Sequence, residues 1–271
     1  MAIDITALWD FGKPDVSEQR FRDALASASK DDQFILRTQI ARTFGLRRDF
    51  DRAREELAAI EADLPTASPE GAVRYWLELG RSHCSATHPA TIQTIEVKET
   101  GRACYLRAFE LAQQAQLDYL AIDALHMMTM VDVDGADQVR WNEKAIAYMD
   151  ASKQEDARKW EGSLRNNLGY ANHLLGRYDD ALSQFKLALA LREAAGKPEP
   201  IRVAYWMIAW TLRAMGNLDE ALTIQVRLEQ ECEAAGSPDP YVFEELAHLY
   251  RAKGDEPLAN SYEEKAKALN S

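Results

Sequence analysis

The chain has 271 residues, 46% hydrophobic and 28% charged, with a formal net charge of −12, a composition ordinary for a packed, water-soluble protein. The acid excess excludes the basic surface that nonspecific nucleic-acid binding requires, and no apolar run reaches the roughly 18 residues of a membrane span. Cys84, Cys104 and Cys232 lack paired-ligand spacing and read as buried thiols of a cytoplasmic protein without a cofactor, and the acids within the first ten residues argue against a signal peptide.

The segment up to Asp15 reads as irregular, with Trp9 and Phe11 tucked onto the first helices. Ser17 is the expected N-cap of a helix running to Ala28, with Phe21, Ala24, Leu25 and Ala28 on one face. Residues 1–30 thus form an N-terminal segment and capping helix, and residues 31–271 a repeat array, degenerate over 83–150. The first helix pair spans Asp32 to Asp63, with Phe34, Ile40, Ala41 and Phe44 on one helix and Phe50, Ala53, Leu57 and Ile60 on the other. A second begins near Pro69, and its turn is replaced by a longer stretch from His83 to Val97. A third covers Asp118 to Ala151, broken by an acidic turn at Asp132–Asp137.

The later pairs, Glu155–Gly196, Pro200–Gly236 and Pro240–Leu269, carry the clearest periodicity. Gly169 precedes Ala209 by 40 residues, and Ala209 precedes Ala247 by 38. Gly176, Gly216 and Gly254 fall at the turns within the pairs, where a left-handed backbone excludes a side chain. A period near 40 built on small and aromatic anchors predicts a helical solenoid, about thirteen helices without strands.

With Leu168-Gly169, Gly176, Tyr178, Ala181, Phe185 and Ala188 aligned on Ala209, Gly216, Leu218 and Ala221, then on Leu246-Ala247, Tyr250, Gly254, Ala259 and Ala266, the chain resembles the tetratricopeptide repeat family. Its period exceeds the roughly 34 residues of the commonest form and is similar to the long-period form found in bacterial peptide-sensing regulators. The resemblance implies an all-α, right-handed solenoid of about six helical hairpins. The first helix of each pair, the A helix, would line a concave groove that holds a peptide or flexible protein segment, without catalysis.

Offsets along the A helices place the candidate groove residues. The first two repeats offer Thr38, Gln39, Arg42, Arg74, Glu78 and Arg81, and the third Asp123, His126 and Thr129. The fourth offers Asn166, Asn167, Tyr170 and His173, the fifth Trp206, Met207, Trp210 and Arg213, and the sixth Glu244, Glu245, His248 and Arg251. Asn167, one turn before Tyr170, resembles the family's backbone-pairing amide, since an amide matches a peptide unit in donor and acceptor. Arg42, Arg81 and Arg213 have the fork geometry of an anion clamp, with salt bridging to Glu78, Glu244 or Glu245 as the alternative. Trp206 and Trp210, four apart, share a face that cradles an apolar or cationic side chain, unless they belong to the core. Tyr205 is the expected core member of that run.

Two other classes remain open at this point. The stripe Leu258, Tyr262, Ala266 and Leu269 on the last helix would pair two copies as a homodimer. Asp123 and His126, three apart, would serve an enzyme or sensor for a small anionic ligand. His83, Cys84 and His88 are poor metal ligands, because adjacent helical residues diverge by about 100°, and no metal is expected.

Overall fold

The computed structural model describes residues 3–270, which form fourteen α-helices and no strand. The chain divides between Trp160 and Glu161 into two compact units. In the first, α1 (Ile5–Leu8) and α2 (Pro14–Leu25) precede three hairpins. These are α3 (Lys30–Leu46) with α4 (Phe50–Ala58), α5 (Pro69–His83) with α6 (Ile95–Gln114), and α7 (Asp118–Val131) with α8 (Gly135–Ala151). The second unit pairs α9 (Glu161–Leu174) with α10 (Tyr178–Ala195), α11 (Pro198–Ala214) with α12 (Leu218–Ala234), and α13 (Pro240–Ala252) with α14 (Glu256–Asn270).

Two of the hairpins close because a glycine on the A helix lets an aromatic ring of its partner approach. A Cβ on Gly169 would lie 2.7 Å from two carbons of the Phe185 ring, and one on Gly80 2.5 Å from Tyr105. Both rings are fully buried. Gly176, Gly216 and Gly254 take φ of +72°, +85° and +84° at the turns inside the last three hairpins, as their spacing predicts. Arg48, at the α3–α4 turn, and Gln116, between α6 and α7, hold the same left-handed conformation (φ 63° and 56°) without being glycine.

Several expectations are corrected. The opening segment is not wholly irregular: Asp4 caps the single turn of α1 by accepting the Thr6 and Ala7 amides. Helix α2 starts at Pro14, whose fixed φ suits a first turn. Ser17 lies inside that helix, buried, and donates to the Asp10 carbonyl at 3.0 Å. The 83–97 insertion is a short loop pinned by His88. Its ring stacks on Phe50 with centroids 3.6 Å apart, accepts the Ser85 amide through Nδ1 and reaches the Ser82 carbonyl through Nε2. Helix α7, in the degenerate stretch, is apolar on nearly every side and buried accordingly.

The stripe expected to pair two copies is the inner face of the last hairpin. Tyr262 and Ala266 are buried, with the Tyr262 ring stacked 5.5 Å from Tyr250 and 6.1 Å from Phe243. Leu269 alone of the four stays largely exposed.

Candidate functional site

In the second unit the 3.6-residue period turns Leu164, Leu168 and Ala171 of α9 into the core and leaves Tyr170 on the other side, 42% exposed. On α11 the same rule buries Ala204 and Ile208 and leaves Trp206 and Trp210 half-buried. The three rings form a ladder across the two helices. Tyr170 and Trp210 lie 5.7 Å apart, and Trp210 and Trp206 5.8 Å, each pair inclined by 23°. Trp206 is fixed by its indole N–H, which donates to the Tyr241 carbonyl at 3.1 Å.

His173 underlies the ladder, its ring 3.3 Å from Trp210 between centroids. Its tautomer follows from its neighbour. Thr211 gives its hydroxyl proton to the Met207 carbonyl (2.9 Å), so it accepts from His173 Nδ1 (2.9 Å). Burial, and then the nearby Arg213, push the imidazole down to about 4, so the ring is neutral at pH 7. At the far edge Arg213 grips Glu245 with two hydrogen bonds, 2.5 and 3.1 Å.

The first unit uses its A helices differently. Gln39 is 2% exposed because Trp9 closes over it and donates its indole N–H to the Gln39 side chain at 3.0 Å. Arg42 lies under the Trp9 and Phe11 rings, 6.0 and 5.8 Å from their centroids. Arg42 and Arg81 both donate to the same oxygen of buried Glu78, at 3.1 and 2.6 Å, and Arg81 also pairs with Asp123. The second oxygen of Glu78 is buried without a partner. Burial opposes the Arg81 charge, but Asp123 and Glu78 outweigh it and push the guanidinium further up. His126 packs 5.4 Å from Trp160, and burial holds it below its ordinary pKa.

The arrangement joins the predicted residues in two separate sets, Gln39, Arg42, Arg81 and His126 in one unit and Tyr170, Trp206, Trp210, Arg213 and Glu245 in the other. Asn167 lies half-buried on α9, one turn before Tyr170. The free anion clamp is corrected: Arg42, Arg81 and Arg213 are all ion-paired, and buried carboxylates desolvated by the fold hold them there. Glu245, 2% exposed, is a clamp on Arg213 rather than a surface group. Tyr205 is not a core ring but lies half-buried beneath the Arg227 guanidinium, 3.9 Å away. Sequence reasoning overlooked Trp160, whose indole N–H donates to the Tyr119 carbonyl, and Tyr241, 64% exposed beside Trp206; only their aromatic character signals either. Among the described residues no group of three or more His, Cys, Asp or Glu is placed to hold a metal, and no helix is long and apolar enough to cross a membrane.

Successive antiparallel helical hairpins define a helical-repeat scaffold. The particular repeat is the tetratricopeptide repeat, whose family sequence profile matches residues 143–229. No curated protein matches the chain. Among solved structures, the apo form of RapI is similar over 97% of this chain and 72% of its own, with a TM-score of 0.71 and 11% identity. The tetratricopeptide repeat sensor protein of the signal transduction ATPase class from Pyrococcus horikoshii is similar over 95% of this chain, with a TM-score of 0.69 and 12% identity. This chain spans only 39% of that protein's length. NprR, solved with its cognate peptide NprX, is similar over 97% of this chain and 75% of its own, with a TM-score of 0.55 and 14% identity. At these identities the likeness is one of fold.

Proposed function

We propose that the A-helix face of the second unit binds an extended peptide or flexible protein segment, and that the chain works as a non-catalytic binding scaffold. The observation that carries this reading is the Tyr170–Trp210–Trp206 ladder, three large rings left partly open to solvent on neighbouring helices. Aromatic side chains offer large apolar area at low entropic cost and dominate the energetics of recognition surfaces. Their regular spacing suits a chain laid across the helices. Asn167, beside the ladder, supplies an amide of the kind that pairs with a peptide unit. Arg213, neutralised by Glu245, fixes the edge of the face rather than reading negative charge. The peptide bound by NprR, a protein of similar fold, favours the same class of ligand.

The test is an array of ten-residue peptides, with hits measured by fluorescence anisotropy. Trp210→Ala is expected to weaken binding by about thirtyfold, corresponding to the roughly 2 kcal/mol of an aromatic hot spot. Tyr170→Ala, at a more exposed ring, is expected to weaken it without loss of fold. Peptide capture unchanged in both variants and in Asn167→Ala/Arg213→Ala refutes the assignment.

A further inference from the structure

Trp206 belongs to two features at once. One face of its surroundings is the ladder; the other is a cavity of about 540 Å³ in the second unit, within the size range at which proteins hold ligands. Its walls are Val203 and Met207 of α11, Leu228 and Cys232 of α12, and Tyr241 at the start of α13. The floor is apolar: Leu228 is 0% and Cys232 4% exposed, and burial pushes the Cys232 thiol up, so it carries no charge at neutral pH. The mouth differs. Val203 and Tyr241 stand exposed there, and the polar rim has two carboxylates, Glu199 and Asp239, against the single guanidinium of Arg202.

We propose that this cavity is an anchor pocket for one large apolar side chain of the bound segment, flanked in that segment by a cationic residue. The inference rests on the ladder being the segment's track, and it adds where the segment is gripped and what chemistry is selected. Three observations converge on that occupant. Trp206 belongs to both the ladder and the pocket wall, so a segment lying on Trp210 and Trp206 is already beside the pocket. Its uncharged floor favours an apolar group over a polar one, which would lose its water without replacement partners. Its acid-leaning rim, on a chain of net charge −12, repels an acidic segment and attracts a basic one, whose cation also gains from the exposed aromatic face of Tyr241. Full burial of such a side chain is worth roughly ten- to hundredfold in affinity.

The experiment uses the full chain and acetylated, amidated eight-residue Gly/Ser peptides carrying Trp, Phe, Leu or Gly at the centre, flanked by Lys or by Glu. The expected order is Lys-flanked Trp, Phe or Leu at least tenfold tighter than Lys-flanked Gly, with the Glu-flanked peptides weakest. Val203→Trp, at a position 41% exposed, plugs the mouth from outside the core and is expected to erase the apolar preference while binding stays sensitive to Tyr170→Ala. In the unmodified protein, saturating Lys-flanked Trp peptide is expected to slow alkylation of Cys232, followed site by site by mass spectrometry. Binding that depends on Tyr170 but shows no apolar preference, or a preference that survives Val203→Trp, or an unchanged Cys232 rate, overturns the pocket alone. If no peptide binds the unmodified protein, the ladder reading falls and the pocket falls with it.

Discussion

Gln225, in α12, is 0% exposed, and neither its amide nitrogen nor its amide oxygen has a hydrogen-bond partner. Gly176 and Gly216 stand 40 residues apart, so in repeat register Gln225 takes the place that Phe185 holds one repeat earlier. The facing position changes in step, from Gly169 to Ala209. The added methyl takes part of the volume that the Phe185 ring fills against a bare glycine, which leaves room for a narrower side chain but asks nothing polar of it. Burying an unpaired amide costs about 1–3 kcal/mol in protein interiors. Leucine has nearly the same bulk and no group to desolvate, so Gln225→Leu is expected to stabilise the protein by about 2 kcal/mol. At 2–4 °C per kcal/mol, that raises the melting temperature by roughly 4–8 °C. Gln225→Glu, which buries a carboxylate instead, is expected to lower it. The measurement is a pair of thermal melts by circular dichroism, with urea midpoints as a check. A melting temperature unchanged or lowered in Gln225→Leu refutes the reasoning, because it means that an enclosed water already satisfies the amide.

Four further outcomes follow from the geometry. Gly169→Ala, whose new Cβ meets the Phe185 ring at 2.7 Å, is expected to cost about 1–3 kcal/mol in urea denaturation. Gly45→Ala, in α3 with nothing within 4 Å, is expected to gain up to about 1 kcal/mol from helix propensity. Arg48→Gly and Gln116→Gly relieve the left-handed conformation of a side-chain-bearing residue and are expected to stabilise by about 0.5–1 kcal/mol each, read as a higher urea midpoint. His173, neutral in the fold and lowered from 6.5 to about 4, leaves stability intact above pH 6.5. Between pH 6.5 and 4 the unfolded chain binds the proton that the folded ring refuses, so stability falls as pH falls. The full drop is worth about 3 kcal/mol at 1.36 kcal/mol per pKa unit, reduced to about 1–2 kcal/mol by solvent near the ring edge. His173→Phe is expected to flatten that slope in a pH series of melts, and an unaltered slope contradicts the assignment.

The hairpins were legible because their causes are local. Glycines forced to positive φ and small residues on the A helices recur at a nearly fixed spacing, and a linear sequence displays spacing directly. Arg48 and Gln116 do the turn's work without glycine and so leave no mark. The His83–Val97 departure was visible as a break in pattern, whereas the stacking of His88 on Phe50 joins residues 38 apart and was not. The same limit governs the candidate site. Helical offsets told which side chains share a face, as with Trp206 and Trp210. They did not tell which of those side chains another part of the chain covers. Gln39 is closed off by Trp9, 30 residues away, and Glu245 is bound by Arg213, 32 away.

The contrast between the two faces has an energetic consequence for what each can bind. For an incoming carboxylate to use Arg81, it would have to displace Asp123 or Glu78, both less than 10% exposed. Removing one partner from a buried ion pair typically costs about 3–5 kcal/mol, because the charge left behind stays desolvated. Such a ligand would forfeit about two to four orders of magnitude in affinity before gaining any new contact. Arg42, whose guanidinium is already covered by Trp9 and Phe11 and shares Glu78, offers little more. The rings of the second unit face no such penalty, since covering Tyr170, Trp206 and Trp210 strips no buried charge of its partner. Recognition by apolar contact on the second unit is therefore favoured over anion capture on the first, and a peptide screen in which acidic residues outrank aromatic and basic ones would reverse that order.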